Sequence, residues 1–505
     1  MNEQIWKDNL AVIQQRWPHL AHRLEDTQAD ECIGAPSRNG LWVLHTDGGQ
    51  AVHSMYAPER ESARFCENCH AESILFLGFG CGYQLLPFLK EQRFRRLLIL
   101  ESSLARLKAV LHHVDRRDVL ADERVELTVL GAQDEFLAWI SVHYHPIWHG
   151  ELANYPLRPI VDQQADYFRS VLQGLSEYFH MMAGDLSSQA FFAKTWFTNI
   201  LMNLHHHQSH QRPLDLPVGR PVVLAGAAPS LEEGIGPIKE MQGRGHFVIA
   251  CDAALRPLLQ NGIKPDLVLS LDAQPLVSRH FVGVNPSEIT LLCDIASPPS
   301  LARQYGAYFF AGGHPLARLS GLGVLDTQGG NVGYAVLALG KLLSRDITCY
   351  GFDFCFPQAK SYAREVYVYP EFMHASCRLG SLENDVLSLV FRYQHLQKEK
   401  SKHGLVYTPA LFLDYRRAFG ALMQQDIQPV GAAFACVRGQ DFIHNYRKRV
   451  LALDARLAGR QESRHDPVLM TLAPLAAYFV RDNLKVDQAW AHAIDWAQDF
   501  LKNRI

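Results

Sequence analysis

The stretch Val222-Val223-Leu224-Ala225-Gly226-Ala227-Ala228-Pro229-Ser230 decides the fold, because a short apolar run ends abruptly in a turn of small residues. An apolar run bounded by a glycine predicts a buried strand. Ser230 and Glu233 have the capping-box spacing of a helix that begins directly after the turn. The stretch therefore predicts one strand–turn–helix unit of an α/β protein.

The same alternation of strand and helix continues along the chain after this stretch. Further apolar runs cover residues 247–251, 267–271, 289–293 and 347–350, and helix-like segments separate them. Strands that alternate with helices predict an α/β fold with a mostly parallel, doubly wound, Rossmann-like sheet. Ligands of such sheets bind beyond the carboxyl ends of the strands. The small and acidic residues expected at these ends are Gly226, Asp252, Asp272, Asp294 and Asp353.

Two turns lead into helices and are candidates for anion binding. Gly226–Ser230 precedes a helix N-terminus, whose N–H groups and dipole favour a phosphate, and a side chain at Gly226 would meet that phosphate. Thr327–Asn331 (Thr-Gln-Gly-Gly-Asn) is a second small-residue turn before a helix. Neither is a Walker loop or a Gly-x-Gly-x-x-Gly turn. Two such turns suit a nucleotide whose phosphate is a leaving group, although purely structural turns would give the same pattern.

The N-terminal part predicts a second Rossmann-like unit. Ser73–Leu77 runs into the glycine turn Gly78–Tyr83, and the next apolar run closes at Glu101. A glycine turn followed by an acid is typical of ribose binding, and the sequence leaves open whether this turn binds a ligand. Cys66–His70 (Cys-Glu-Asn-Cys-His) looks like half of a zinc site, but the sequence has no second Cys-x-x-Cys, which disfavours a zinc role.

The chain divides into three predicted domains. Residues 205–213 are polar and look like a linker, and the helical period returns after about Tyr369. We expect an N-terminal Rossmann-like domain over 1–210, a central domain over 211–368 and a helical C-terminal domain over 369–505.

Composition narrows the function classes. The 505 residues include 49 Lys+Arg and 52 Asp+Glu, which gives a net charge of −3. The chain thus lacks the surplus of basic residues that is typical of nucleic-acid-binding proteins. The N-terminus lacks the apolar core of a signal peptide, and the longest apolar stretch, Pro467–Val480, is too short to span a bilayer. Thinly spread cysteines in apolar runs are typical of reduced thiols. We expect a soluble, cytoplasmic protein without a membrane partner.

Several of these stretches together resemble the Maf (motility accessory factor) proteins, the flagellin glycosyltransferases that share a domain with archaeal pterin diphosphokinases. The stretches that carry the resemblance are Leu224–Leu231, Asn261–Asp272, Thr327–Asn331, Tyr350–Asp353, Gly78–Tyr83, and Tyr407–Pro409 with Phe412, Leu413 and Tyr415.

The resemblance implies that the central domain binds a nucleotide sugar, because it is also similar to bacterial sialyltransferases that use CMP-activated sugars. Ala227 stands where sialyltransferases have Asn, and Ala228 stands where Maf proteins commonly have Gly. Together with the two turns, the likeness implies these nucleotide-binding residues: Gly226, Pro229, Ser230, Asp252, Thr327, Gln328, Gly329, Gly330 and Asn331.

The resemblance further implies transfer of a nonulosonic acid, pseudaminic or legionaminic acid, from its CMP donor to Ser or Thr of flagellin, in support of flagellum assembly and motility. Asp272, Asp353 and His374 are candidate general bases. Thr408 and Tyr415 are candidate contacts to the sugar or the acceptor. The sequence leaves open which sugar is used, whether Mg²⁺ is a cofactor and whether the chain forms a homo-oligomer.

Two other functions stay open. The pterin branch of the resemblance implies an ATP-dependent pterin pyrophosphokinase, with Asp252 and Asp272 as Mg²⁺ ligands. The substitutions at Ala227 and Ala228 are also compatible with a flagellin-binding accessory protein that has no enzymatic activity.

Overall fold

The computed structural model of the protein describes residues 2–31, 33–131, 133–206, 214–401, 404–431, 434, 439–454, 465–482 and 484–505. The described residues form two compact units. Those of 1–191, 454–465 and 473–493 form the first unit, and those of 192–453, 466–472 and 494–505 form the second.

The helices account for much of both units. They are α1 Glu3–Arg16, α2 Pro18–Asp26, α3 Ala63–Asn68, α4 Leu86–Leu89, α5 Leu104–His113, α6 Arg117–Leu120, α7 Gln133–His143, α8 Pro146–His149, α9 Arg158–Gln163, α10 Ala165–His206, α11 Leu231–Gly243, α12 Leu255–Gln260, α13 Pro299–Tyr305, α14 Pro315–Leu319, α15 Val332–Leu343, α16 Val368–Ala375, α17 Leu382–Phe391, α18 Ala410–Gln424, α19 Gly439–Leu451, α20 Pro467–Arg481 and α21 Val486–Asn503. Among the described residues, no helix combines the length and apolarity needed to cross a lipid bilayer.

The first unit contains the predicted N-terminal βαβ arrangement. A short antiparallel pair, β1 Gly34–Pro36 and β2 Trp42–Leu44, precedes a parallel sheet of β3 Ser73–Leu77, β4 Arg96–Glu101, β5 Val125–Val129 and β6 Leu152–Pro156. The strand order is β5-β4-β3-β6, so the direction of winding reverses between β3 and β6. Every residue of β3 and β4 is buried, as expected for a parallel sheet covered on both faces.

The second unit is built on a larger parallel sheet. Its strands are β7 Val222–Ala225, β8 Phe247–Cys251, β9 Leu267–Ser270, β10 Leu291–Asp294, β11 Tyr308–Phe310 and β12 Ile347–Tyr350, in the order β11-β10-β9-β8-β7-β12. The chain winds outward from β7 to β11 and then returns to the other side of β7. The topological switch point, where ligands of such sheets bind, therefore lies between β7 and β12. The predicted doubly wound fold is confirmed.

Alternation along the strands builds two apolar layers on this sheet. Val222 and Leu224 of β7 face one layer, which also contains buried residues of α15 and α18. Val223 and Ala225 face the other layer, which contains residues of α11 and α12. Both faces of β7 are thus covered by helices, so a ligand of this sheet is expected at the carboxyl end of the strand.

The C-terminal segment is helical but includes a small sheet that the sequence pattern did not predict. Strands β13 Phe356–Pro357, β14 Gln397–Ser401 and β15 Gly404–Thr408 form an antiparallel sheet with the order β13-β15-β14. The residues predicted as a separate C-terminal domain are divided between the two compact units, and the predicted boundary at 210/211 lies outside the described residues.

Candidate functional site

The turn Gly226–Ser230, here called the first turn, lies at the switch point against Asp353. Asp353 follows β12, and its carboxylate accepts hydrogen bonds from the Ser230 backbone N–H, at 3.0 Å, and from the Ser230 hydroxyl. Ser230 therefore does not form the predicted capping box, and its side chain makes no cap bond to α11. A carboxylate of the chain itself occupies the position at the helix N-terminus where the sequence predicted a phosphate.

Gly226 in the first turn is required for a different reason from the one that the sequence suggested. The Gly226 N–H donates to the Tyr350 carbonyl at 2.8 Å, and the Ala228 N–H donates to the Gly351 carbonyl at 3.1 Å. A methyl group on Gly226 would lie 3.0 Å from the Gly351 carbonyl carbon and closer still to its oxygen. Glycine is required here because β7 and β12 approach closely, before any ligand is considered.

The turn Thr327–Asn331, here called the second turn, leads into α15 and keeps unused donors. Asn331 caps α15 by accepting from the Tyr334 N–H at 3.0 Å. The N–H groups of Val332 and Gly333, in the first turn of α15, have no acceptor among the described residues. An anion is therefore better placed at the start of α15 than at the start of α11.

Helix α18 connects the second turn to the end of β12. The ring of Tyr415 is 3.4 Å from where a side chain on Gly330 would begin, so these two residues, predicted for different roles, lie in contact. Arg416, the next residue, donates to the Phe354 carbonyl at 3.2 Å. Phe354 has a φ of 48°, an unusual left-handed conformation for a bulky residue, and it directly follows Asp353.

A second group of polar residues, here called the base cluster, lies at the carboxyl ends of β8 and β9. Asp252 is buried and accepts from the Ser270 hydroxyl at 2.7 Å. Asp272 accepts from the Gln274 N–H at 2.8 Å. His280, in the short 3₁₀ helix Pro275–Phe281, completes the cluster.

The electrostatics of the base cluster follow from partial burial and mutual proximity. Desolvation raises the pKa of Asp272, and the charge of Asp252 raises it further. Desolvation lowers the pKa of His280, although both carboxylates oppose that shift. Its buried Nδ1 atom has no hydrogen-bond partner among the described residues. A neutral imidazole beside two carboxylates is a competent proton acceptor.

Residues 360–371, here called the crossing segment, run over these strand ends. The Ala363 N–H donates to the Ala227 carbonyl at 2.9 Å, which fixes the segment to the first turn. Further along, the ring of Tyr367 meets the ring of His280 edge-on, with 4.7 Å between centroids. The crossing segment therefore covers both the switch point and the base cluster.

Asp294 occupies the carboxyl end of β10 as a buried acid. Its carboxylate accepts from the Ala296 N–H at 2.8 Å and touches Gly312. Burial is the largest cause of its raised pKa, which is about 7. Within the described parts of the chain, no positively charged side chain is bonded to it, so this carboxyl binds or releases its proton near neutral pH.

The side chains of two further predicted site residues form no hydrogen bond with these groups in the described part of the chain. His374 is exposed on α16, and its side chain forms no hydrogen bond with another described residue. Thr408, at the end of β15, is fully buried, and its hydroxyl has no hydrogen-bond partner within the described chain. Conversely, Ser270, His280 and Arg416 join the site without having been predicted, because no motif marks them.

The glycine turn of the first unit is filled by the protein's own side chains. A side chain on Gly80 would begin 2.5 Å from the His53 ring and from Leu157. The acid predicted to hold a ribose, Glu101, is buried, accepts from the Phe79 N–H at 2.9 Å and pairs with Arg106. The groups that would bind a nucleotide in this turn are thus already bonded to, or packed against, other parts of the protein.

A cavity of about 270 Å³ lies in the same unit. Its lining includes the carboxylates of Asp30, Glu31 and Asp47 with a single guanidinium, that of Arg106, which already pairs with Glu101. This charge balance disfavours a phosphorylated ligand. Among the described residues, no group of three or more His, Cys, Asp or Glu side chains has the geometry of a metal site.

Comparison with known families agrees with the two sheets. Residues 35–126 match the family model of the glycosyltransferase Maf N-terminal domain. Residues 194–359 match the family model described as 6-hydroxymethylpterin diphosphokinase MptE-like. The resemblance that the sequence motifs indicate is confirmed: this chain joins a Maf-type N-terminal domain to an MptE-like domain.

The fold of the whole chain is shared with a solved Maf glycosyltransferase from Magnetospirillum magneticum AMB-1. The TM-score is 0.61 over 99% of this chain and 94% of that chain, at 15% sequence identity. Two uncharacterized proteins of Treponema pallidum (strain Nichols) are also similar. One is 26% identical over 40% of this chain and 71% of its own length, and the other is 29% identical over 34% and 82%. The N-terminal family match and the fold together support glycosyltransferase activity.

Proposed function

We propose that this protein transfers a nonulosonic acid, pseudaminic or legionaminic acid, from its CMP donor to a Ser or Thr hydroxyl of flagellin. The observation that carries the proposal is the pairing of two groups at the carboxyl edge of one sheet: unused N–H donors at the start of α15, against Phe352 after β12, and a proton acceptor beyond β9. The Maf-type N-terminal domain supports the transferase class. The sequence likeness to CMP-sugar sialyltransferases supports the donor, and the likeness to Maf proteins supports flagellin and a role in motility.

In this proposal the donor phosphate lies at the start of α15, where the N–H groups of Val332 and Gly333 are unused. These donors stabilise the negative charge that grows on CMP as it leaves. The bond between the anomeric carbon of the sugar and the phosphate oxygen breaks, and CMP departs with the electron pair. The acceptor oxygen bonds to the anomeric carbon.

The acceptor proton then needs a base, and His280 fits that role best. Its burial keeps the imidazole neutral, and its pKa is lowered accordingly. Asp353, a predicted base, already accepts two hydrogen bonds from Ser230 and is better placed to shape the first turn. Asp272 is suited to stabilise the imidazolium that forms after proton transfer.

The test uses the full chain, CMP-activated pseudaminic or legionaminic acid, and flagellin, with the mass of flagellin as the readout. Wild-type protein should add one sugar mass per modified site. His280→Gln should lower the turnover rate by roughly 10²–10⁴-fold with little change in donor KM. His374→Gln, on an exposed face, is the matched control and should leave the rate unchanged. Equal rates for His280→Gln and wild type would remove His280 from the mechanism.

A second function, pterin pyrophosphokinase, is favoured by two observations: the MptE-like match, and the carboxylates of Asp252 and Asp272, which are near enough for the charge of one to raise the pKa of the other. Two close carboxylates are typical ligands of Mg²⁺. Thermal melts with CMP, and separately with ATP and Mg²⁺, distinguish the two functions. Stabilisation by CMP alone supports the transferase. Stabilisation by ATP only when Mg²⁺ is present, and its loss in Asp272→Asn, would replace the transferase with the kinase.

A further inference from the structure

The first turn offers the donor phosphate few of its usual N–H partners. The N–H groups of Gly226, Ala228 and Ser230 all donate within the protein, and Asp353 adds a negative charge beside them. A phosphate at the switch point would face that carboxylate, so it needs a positively charged side chain as well as the start of α15.

The nearest lysine and arginine of the crossing segment are already paired. Lys360 forms an ion pair with Glu232, and Arg364 lies 4.0 Å from the same carboxylate. Glu232 therefore holds both side chains and balances one of their two positive charges.

Arg416 is different. Among the described residues it forms no ion pair, and its one hydrogen bond goes to a neutral backbone carbonyl, that of Phe354. It is exposed on α18, next to Tyr415, whose ring contacts the second turn at Gly330. Because a guanidinium has five N–H donors, this bond leaves most of them available.

From this placement we infer that Arg416 binds the phosphate of the nucleotide donor at the switch point. The inference rests on the proposed function and adds a residue from α18, outside the MptE-like match. The guanidinium offsets the charge of Asp353 and binds the phosphate together with the N–H groups at the start of α15. Through its bond to Phe354, the same side chain also supports the turn that carries Asp353.

The experiment compares CMP with cytidine, which lacks the phosphate, on the full-length chain. Dissociation constants come from calorimetry for CMP and from ligand-detected NMR for cytidine. Arg416→Ala should weaken CMP binding by about 10- to 100-fold, the usual effect of losing a charged hydrogen bond, and should leave cytidine binding unchanged. Arg416→Lys should retain part of the CMP affinity, since it keeps the charge but loses the planar fork.

Arg417→Ala is the matched control. Arg417 is the next residue of the same helix, is exposed and pairs with Asp414, so both variants remove one exposed arginine from α18. Its CMP affinity should equal that of the wild type.

Three results would overturn the inference. Unchanged CMP affinity in Arg416→Ala, with wild type binding CMP, refutes the role of Arg416 and leaves the proposed function intact. Equal losses for CMP and cytidine assign Arg416 to the support of the Phe354 turn alone. A wild-type chain that does not bind CMP refutes the proposed function and the inference with it.

Discussion

Replacing Gly226 by Ala tests whether the switch point is set by backbone contact between β7 and β12. The added methyl would lie 3.0 Å from the Gly351 carbonyl carbon, tighter than nearly all side-chain contacts, and closer to the oxygen. The two strand ends must separate, which strains the hydrogen bonds from the Gly226 and Ala228 N–H groups. Overpacking costs about 1–3 kcal/mol, and each weakened bond adds about 0.5–1.5 kcal/mol. We expect a loss of roughly 2–6 kcal/mol in the free energy of unfolding.

Urea unfolding followed by circular dichroism measures this loss. Gly420→Ala is the matched control, because Gly420 lies inside α18 with nothing within 4 Å of the added methyl. That change should stabilise the protein by about 1 kcal/mol through helix propensity. If Gly226→Ala unfolds at the same urea concentration as wild type, the close approach to Gly351 does not constrain the turn. Gly226 would then be required only because a side chain there would meet the bound phosphate.

Three further predictions concern single side chains. Asp294→Asn should remove part of the pH dependence of stability. The folded chain keeps the Asp294 carboxyl protonated up to about pH 7 and the unfolded chain does not, so wild-type stability falls as the pH rises from about 4 to 7. Urea unfolding of the variant over this pH range should show a smaller fall in stability. Asp353→Asn leaves one acceptor oxygen for the two donors of Ser230 and should lower the free energy of unfolding by about 1–3 kcal/mol. CMP should also raise the melting temperature of this variant less than that of the wild type. Wild-type stability together with a wild-type response to CMP would contradict the role given to Asp353 in the first turn. His53→Ala removes the acceptor of the Cys81 N–H, at 2.7 Å, and should destabilise the chain by about 1–3 kcal/mol while CMP affinity stays at the wild-type value.

The strand ends of the second unit are predictable from the sequence, because apolar runs and terminal acids are local signals. The order of the strands is not, since it depends on which apolar faces pack together over long separations. The partner of Ser230 illustrates this limit: Asp353 lies 123 residues along the chain, and only the sheet brings the two together. A capping box is therefore the natural local interpretation of Ser230, and it is wrong.

Two other features escape the sequence for physical reasons. Strand β14, Gln-Lys-Glu-Lys-Ser, has no apolar alternation because it is an edge strand, where charged side chains protect the exposed backbone. His280 belongs to a 3₁₀ helix without a recognisable motif, so only its position beside Asp252 and Asp272 distinguishes it. The nucleotide contacts of the second turn and the acceptor contacts of Thr408 and Tyr415 stay predictions.

The contacts of α18 with the second turn and with Phe354 also bear on the order in which this protein is made. Ribosomes release a chain from its N-terminus, and domains generally begin to fold as their residues emerge. Every strand of the second unit's parallel sheet has been synthesised once Tyr350 is complete, whereas Tyr415 and Arg416 follow much later. A nascent chain can therefore assemble the sheet edge well before it possesses the guanidinium that faces it. We expect donor binding to be among the last properties the growing polypeptide acquires.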